Sequence, residues 1–241
     1  MAEPILQIRG LSKRFGGFAA LEAVSLDLGA GERLALIGPN GSGKTTLINC
    51  MSGVLRADGG RVVFKGRDIT RLPAHRRVRL GMMRSFQIPR PFRSLSVVEN
   101  LCVPLDFARG AGSRVRDLRA EALAILEVVG FTGRADAGPA GLTQVDLRKL
   151  ELARALAAGP ALLVADEVMA GLSSAEVDDI LTVLFKLNGQ GVAVIMIEHI
   201  MRAVMRFAER VVVLDAGQKI ADGAPEQVIS DPAVERAYLG A

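Results

Sequence analysis

The chain has 241 residues, half of them hydrophobic, with 30 Lys and Arg against 26 Asp and Glu for a net charge of +4. This suits one α/β domain, or one domain with a small lobe, built on a sizeable core. Two cysteines, Cys50 and Cys102, exclude a disulfide framework and point to a reducing compartment. No apolar stretch approaches the roughly 18–20 residues that span a bilayer, and the longest candidate, Val192–Ile197, is strand-sized. Met1-Ala2-Glu3-Pro4 shows no basic region followed by an apolar run, which argues against a secretory signal. With no Trp and one Tyr, a base-stacking surface for nucleic acid is poorly supplied. The richest basic run, Arg71, His75, Arg76, Arg77, Arg79 and Arg84, is expected to be a solvated face or a partner contact.

In chain order, Leu6–Arg9 and Val24–Leu28 read as strands. A third apolar strand, Arg33–Ile37, runs straight into Gly38-Pro39-Asn40-Gly41-Ser42-Gly43-Lys44-Thr45-Thr46. That stretch fits G-x-x-x-x-G-K-[ST], and Thr45–Met51 after it reads as a helix. Strand, glycine-rich loop and helix N-terminus together form an anion cradle: glycines let backbone N–H groups turn inward, and the helix end adds partial positive charge. Lys44 is placed to reach the β- and γ-phosphates of a nucleotide, and the Thr45 hydroxyl to face Mg²⁺.

Gly59-Gly60 marks a turn before a strand at Arg61–Phe64, and Gly81–Phe86 is a further short strand. From about Val97 to Val129 the pattern is helical, with Leu118, Ala122, Ile125, Leu126 and Val129 at helix spacing. Gly130 closes that segment, Gly133–Gly141 is a loop, and Leu147–Ala158 is a helix stopped by Gly159-Pro160. Then Leu162–Ala165, Val192–Ile197 and Val211–Leu214 read as strands, with helices at Ala175–Leu187 and Met201–Phe207 between them. Such alternation implies a largely parallel sheet flanked by helices.

Two of these strands deliver chemistry. Leu162-Leu163-Val164-Ala165 ends in Asp166-Glu167, at the strand edge where ligands bind in open α/β sheets. Asp166 is assigned to the metal and Glu167 to the attacking water. Ile195-Met196-Ile197-Glu198 ends in His199, whose imidazole can bond a γ-phosphate and hold the geometry of water and Glu167. His75 is given no role.

Taken in order, the phosphate loop, Gln87, Asp166-Glu167 and His199 make nearly the whole chain resemble the ATP-binding subunits of ABC transporters. The resemblance implies a P-loop NTPase core (1–89 and 159–241) with a mainly parallel sheet flanked by helices. It also implies an N-terminal antiparallel β region and a helical subdomain inserted at about 90–158. It places Phe15 as the adenine-stacking aromatic and Gln87 as a further contact to Mg²⁺ that links core to helical subdomain. Leu142-Thr143-Gln144-Val145-Asp146 falls where the family carries its signature, the segment that meets the partner's ATP. Arg84-Ser85-Phe86-Gln87, Phe92–Leu101, and the tail Gly223–Gln227 with Ala237-Tyr238-Leu239-Gly240 resemble a narrower group. That group imports branched-chain or other hydrophobic amino acids, or amides such as urea.

The same resemblance implies ATP and Mg²⁺ as cofactors and a head-to-tail pair of ATP-binding subunits; an intact loop, acid pair and His199 beside an altered signature favour a heterodimer, although a homodimer also fits. It implies two membrane permease subunits and, indirectly, an external substrate-binding protein. The expected place is the cytoplasmic face of the inner membrane, and no nucleic acid is expected. Two departures stand out. The usual Leu-Ser-Gly-Gly-Gln signature is here Leu142-Thr143-Gln144-Val145-Asp146, with bulk for glycine and an acid beside an expected anion. Thr143-x-x-Asp146 also fits a helix capping box. Second, Val168 stands for the usual Pro and Ser173 for an Asp at the dimer seam. A weakly hydrolysing regulatory or assembly module therefore stays open as an alternative. A DNA-associated ATPase of the same superfamily is disfavoured, because it needs a long insert between loop and signature.

Overall fold

A computed structural model describes residues 3–85, 89–109, 118–131 and 133–239. It opens with a hairpin of β1 (Leu6–Phe15) and β2 (Phe18–Leu28) around Gly16-Gly17. Both strands run beyond the apolar segments that mark them in the sequence. Register shifts between Ile8 and Leu11 and between Leu11 and Arg14 break the two-residue alternation there, so the outer halves do not read as strand. After β3 (Arg33–Ile37) and α1 (Lys44–Ser52), β4 (Gly59–Phe64) pairs antiparallel with β1, and the short β5 (Arg67–Asp68) pairs with β4. Gly59-Gly60 is thus strand rather than turn. Gly60 takes a φ of +86°, and a Cβ on it would lie 2.4 Å from the Gly10 carbonyl oxygen, so the close crossing under β1 demands glycine.

Next come α2 (Ala74–Arg79), β6 (Met82–Arg84), α3 (Val97–Arg109), α4 (Leu118–Val128) and α5 (Gln144–Ala157). The strand marked at Gly81–Phe86 is shorter than expected, and Phe86 and Gln87 lie outside the described residues. The rest alternates as β7 (Leu162–Asp166), α6 (Ser174–Gly189), β8 (Ala193–Ile197), α7 (Met201–Phe207) and β9 (Arg210–Asp215). β10 (Gln218–Gly223), α8 (Pro225–Ile229) and α9 (Pro232–Leu239) complete the chain. β10 carries Lys219 and Asp222 and none of its residues is fully buried, so as a polar edge strand it lacks the apolar run that announces its neighbours.

The second sheet has the order β10-β9-β3-β8-β7-β6. β9, β3, β8, β7 and β6 are mutually parallel, and β10 closes the edge antiparallel to β9. Every residue of β7 and β8 is buried, as both faces of a parallel sheet require. On one face, α3–α6 pack against Leu163, Val194 and Met196. On the other, α1 lies between the parallel sheet and the antiparallel one, with Leu47, Ile48 and Met51 against Leu34, Leu36, Leu6 and Leu28. A smaller cluster of Ile37, Val204, Val213, Val228 and Val234 seats α7–α9 at the β9 side.

The basic run is not uniformly solvated. Arg77, on α2, is only 2% exposed. Its Nη1 donates to the Cys50 and Met51 carbonyls at 3.0 and 2.6 Å, its Nε to Leu72 at 2.8 Å and its Nη2 to Thr70 at 3.0 Å. The last turn of α1 leaves carbonyls unpaired and carries partial negative charge, and a buried guanidinium answers both. Burial pushes the pKa of Arg77 down, yet a guanidinium stays charged. Replacing Arg77 with Met strips charge-assisted bonds from buried carbonyls, and the expected cost is about 2–4 kcal/mol. The check is a lower urea midpoint at constant slope; an unchanged midpoint would mean that α1 does not need this cap.

Candidate active site

β8 pairs on one side with β3 and on the other with β7. The loop after β3, the acids ending β7 and the residues just past β8 therefore share one edge of the sheet. Gly38–Thr46 wraps from β3 into α1 as the sequence implies. Gly38 has φ +148°, and a Cβ there would fall 2.1 Å from the Leu214 carbonyl oxygen. Gly43 has φ +103°, and its Cβ would fall 2.6 Å from the Ala20 carbonyl oxygen. The second contact shows that β2 stacks directly on the loop. Gly217, in the β9–β10 turn, ties the arrangement together: its N–H donates to the Ser42 carbonyl at 3.0 Å, and its own carbonyl accepts from Glu22 N–H at 2.9 Å.

Lys44 is the first residue of α1. Its Nζ donates to the carbonyls of Gly38 and Pro39 at 2.7 and 2.9 Å. Burial pushes its pKa down, and the charges of Glu167 and Asp166 partly offset that. The two acids thus act electrostatically on the loop's cation. Thr45 and Thr46 follow in the first turn of α1. At the C-terminal end of the same chain, burial pushes the Tyr238 phenol up while a hydrogen bond from Gly38 N–H opposes it, so the tail reaches the start of the loop.

Asp166 is the last residue of β7, and its Oδ2 accepts from Arg84 Nη2 at 2.6 Å. The other arm of Arg84, Nη1, reaches Asn49 Oδ1 on α1 at 2.6 Å. One guanidinium therefore spans β6, β7 and the helix of the phosphate loop. Glu167 leaves the strand in a left-handed conformation, φ +49°, which costs a non-glycine residue roughly 1–3 kcal/mol. Its N–H donates to the Ile197 carbonyl at 2.9 Å. Its Oε1 lies 2.9 Å from His199 Nε2. Asp166, Glu167 and His199 are thus brought together at the edge that holds the loop, while Gln87 lies outside the described residues.

Phe15, at the tip of β1, is 49% exposed, with Lys13 Nζ 5.5 Å from its ring centroid. The hairpin that carries it rests on Gly43 through Ala20. Leu142 to Asp146 form the entrance to α5. Thr143 is its N-cap, and the capping box is complete: Asp146 N–H donates to Thr143 Oγ1 at 3.2 Å, and Thr143 N–H to Asp146 Oδ2 at 3.2 Å. Asp146 Oδ1 also takes Arg134 Nη2 at 2.8 Å. Burial pushes the Asp146 carboxyl up, but the bonds from Thr143 and Arg134 outweigh it and hold the group below the ordinary carboxylate range. Gln144 and Val145 follow, and the Gln144 amide nitrogen comes 3.4 Å from the position a Cβ on Gly171 would take. Ser173 caps α6, with its N–H donating to Glu176 at 2.8 Å, and Val168 is buried.

Sequence reading misses three contributors: Arg84, Asn49 and the Glu198 beside His199. Arg84 sits opposite Val164 in the parallel pairing of β6 with β7. That register leaves Arg84 two residues short of Asp166, and no local pattern in the sequence marks the approach.

Residues 21–170 match the family model described as ABC transporter, and residues 218–241 match one described as branched-chain amino acid ATP-binding cassette transporter. The chain is 38% identical to the high-affinity branched-chain amino acid transport ATP-binding protein BraF of Pseudomonas aeruginosa, covering 100% of this chain and 99% of that one. It is 36% identical to LivG of Escherichia coli, a protein of the same description, with the same coverage. Among solved structures it is similar to the ADP conformation of MJ1267, an ATP-binding cassette of an ABC transporter. That match has 33% identity and a TM-score of 0.89 over all of both chains. It is also similar to the dimeric post-hydrolysis state of the cassette MJ0796 bound to ADP and Pi, at 25% identity and a TM-score of 0.80 over 91% of this chain.

The exposed ring of Phe15 offers a direct check of its expected role as the adenine-stacking aromatic. Phe15→Ala is expected to weaken binding of a fluorescent ATP analogue about tenfold, the worth of one stacked ring, and Phe15→Tyr to retain it. Equal affinities for all three proteins would leave Phe15 a surface residue.

Proposed function

The chain belongs to the ABC transporter family as an ATP-binding, ATP-hydrolysing subunit, and we propose that it powers import of branched-chain or other hydrophobic amino acids, or amides. The observation that carries the catalytic reading is the convergence of Lys44, Asp166 and the Glu167–His199 pair, 2.9 Å apart, on one sheet edge. In this reading the amides of Gly38–Thr46 and the Lys44 ammonium bind the phosphates. The carbonyl contacts that Lys44 makes to Gly38 and Pro39 give way to phosphate oxygens. Phe15 stacks on the base. Glu167 accepts the proton of the attacking water, and His199 fixes the carboxylate and bonds the terminal phosphate.

Thr45 and Asp166 supply a hydroxyl and a carboxylate oxygen, hard donors that fit Mg²⁺, an ion that takes few protein ligands and keeps water and phosphate for the rest. When bound, Mg²⁺ neutralises charge on the phosphates. Gln87 is proposed as a further contact to it. Residues 1–89 and 159–241 form the core in this reading, and about 90–158 the helical subdomain.

The membrane partners are proposed to be two permease subunits at the cytoplasmic face of the inner membrane, served by an external binding protein. No helix among the described residues is long and apolar enough to cross a membrane. Their docking surface is proposed as the groove between β6 and the helices α3 and α5. Phe92, Val103 and Phe107 stand exposed there at 41%, 42% and 45%. Arg154 and Arg79 lie over the rings of Phe92 and Phe107 at 4.7 and 5.1 Å. Aromatic anchors rimmed by cations suit an amphipathic helical segment.

The second ATP-binding subunit is proposed to be a related chain with an unaltered signature. The motive is the start of α5, where the Asp146 carboxylate already accepts the N-cap Thr143 N–H and the Arg134 cation. A phosphate of the partner's ATP would meet that carboxylate, so the site completed by Thr143-Gln144-Val145-Asp146 turns over slowly. The site on this chain's own loop is the productive one.

Lys44→Ala is expected to abolish ATP binding and transport together; unchanged affinity would contradict the loop assignment. In the assembled transporter, Glu167→Gln is expected to cut turnover about 100-fold or more while ATP still binds. The equivalent change in the partner subunit should have the smaller effect. Loss of turnover in the partner variant alone, with Glu167→Gln active, would reverse the assignment.

A further inference from the structure

Glu198 is a carboxylic acid only 2% exposed, one residue before His199. Its Oε1 accepts the Met169 N–H at 2.9 Å. Met169 is fully buried, so without Glu198 that amide would be buried with no partner, a loss of about 1–3 kcal/mol. The bond lies two residues past Glu167, across the turn by which the chain leaves β7.

That turn is under tension. Glu167 holds φ +49°, a conformation that persists only when its surroundings over-determine it. Three bonds do so. Glu167 N–H donates to the Ile197 carbonyl at 2.9 Å, Ala170 N–H donates to the Glu167 carbonyl at 3.2 Å, and Met169 N–H is held by Glu198. The first and third come from consecutive residues at the end of β8. The next residue, His199, contacts the Glu167 carboxylate at 2.9 Å. Residues 197, 198 and 199 therefore grip the Glu167 segment at its amide, beyond its turn and at its side chain. Burial pushes the Glu198 carboxyl up, and the Met169 and His199 amides draw it back, consistent with an acceptor held for its backbone donors.

We propose that Glu198 is a positioning residue for hydrolysis: by holding the Met169 amide it keeps Glu167 in its left-handed turn, with its carboxylate on His199. Glu198 touches neither water nor phosphate; it acts through Glu167. The role rests on the catalytic reading of Glu167 and His199 given above.

The test compares Glu198→Gln, which keeps an acceptor of the same shape, with Glu198→Val, which removes it, in the full chain with its partners. Glu198→Val is expected to lower kcat about 10- to 100-fold, the scale of a misplaced reacting group. KM for ATP and affinity for a fluorescent ATP analogue should stay within about twofold of wild type. Glu198→Gln is expected to restore most of kcat. The idea fails if Glu198→Val keeps wild-type kcat, if kcat and nucleotide affinity fall together, or if Glu198→Gln is as impaired as Glu198→Val. Should Glu198→Val not fold, hydrogen exchange decides: the Met169 amide must be protected in the wild type and exchange faster in Glu198→Asp, whose carboxylate is withdrawn by one methylene. An unprotected amide, or no change in Glu198→Asp, overturns the proposal. Glu167→Gln is assayed alongside. If it remains active, the catalytic reading and this inference fall together; if it is dead while Glu198→Val is active, only this inference falls.

Discussion

Parallel pairing of β8 with β3 on one side and β7 on the other is the constraint from which the rest follows. Strands that run the same way end on the same edge, so a loop, an acid pair and an imidazole far apart in sequence are delivered side by side. Only a fully buried strand can sit at that position, and every residue of β8 is buried. Burial in turn leaves polar function to the residues just beyond the last ladder bond, which is where Glu198 and His199 lie. The antiparallel sheet adds a second constraint from above. Its β2 stacks the Ala20 carbonyl on Gly43 so closely that no side chain fits between them.

Around this frame, buried charge is used as fastening. Arg77 ends α1, and Arg84 joins the middle of α1 to Asp166 at the tip of β7. The helix of the phosphate loop is thus fixed at its start by the glycine turn, along its length by Asn49 and at its end by Arg77. Such fastenings are costly in isolation, because ions leave water to enter the interior. They are tolerable here because Arg77 meets the carbonyls of Cys50, Met51, Thr70 and Leu72, and the half-buried Arg84 meets Asn49 and Asp166. The gain is rigidity in the element proposed to hold phosphate.

How much of this is legible in the sequence follows from the range of each interaction. Local patterns declare themselves: Gly38–Thr46 announces its loop, Leu162–Asp166 its buried strand and Thr143-x-x-Asp146 its capping box, because each is set by neighbours within a few residues. Arg77 and Arg84 do not, since their partners at Cys50, Met51 and Asp166 are brought close only by folding; in composition they are indistinguishable from Arg76 or Arg79. Gly60 misleads for the same reason. Its glycine answers the backbone of Gly10 on another strand rather than a local turn. Glu198 is hidden by its neighbour, for an acid before a histidine at a strand end suggests a surface pair until its burial is seen.

The altered entrance to α5 has a physical logic that extends beyond missing glycines. A helix N-terminus attracts an anion through unpaired amides and its dipole. Here Asp146 supplies that anion covalently, with Thr143 completing the reciprocal bonds and Arg134 balancing the charge. On the proposed reading, a phosphate arriving there would meet, at short range, a carboxylate already bonded to the Thr143 amide and to Arg134. Mutating Gln144 or Val145 to glycine would relieve crowding and leave this competition untouched. In that reading the obstacle is electrostatic first and steric second. Gln144 also lies close to Gly171, two residues past Met169, whose N–H Glu198 accepts. Lys44, Asp166, Glu167 and His199 thus stay grouped at one sheet edge, while the helix end proposed to face a partner is satisfied from within.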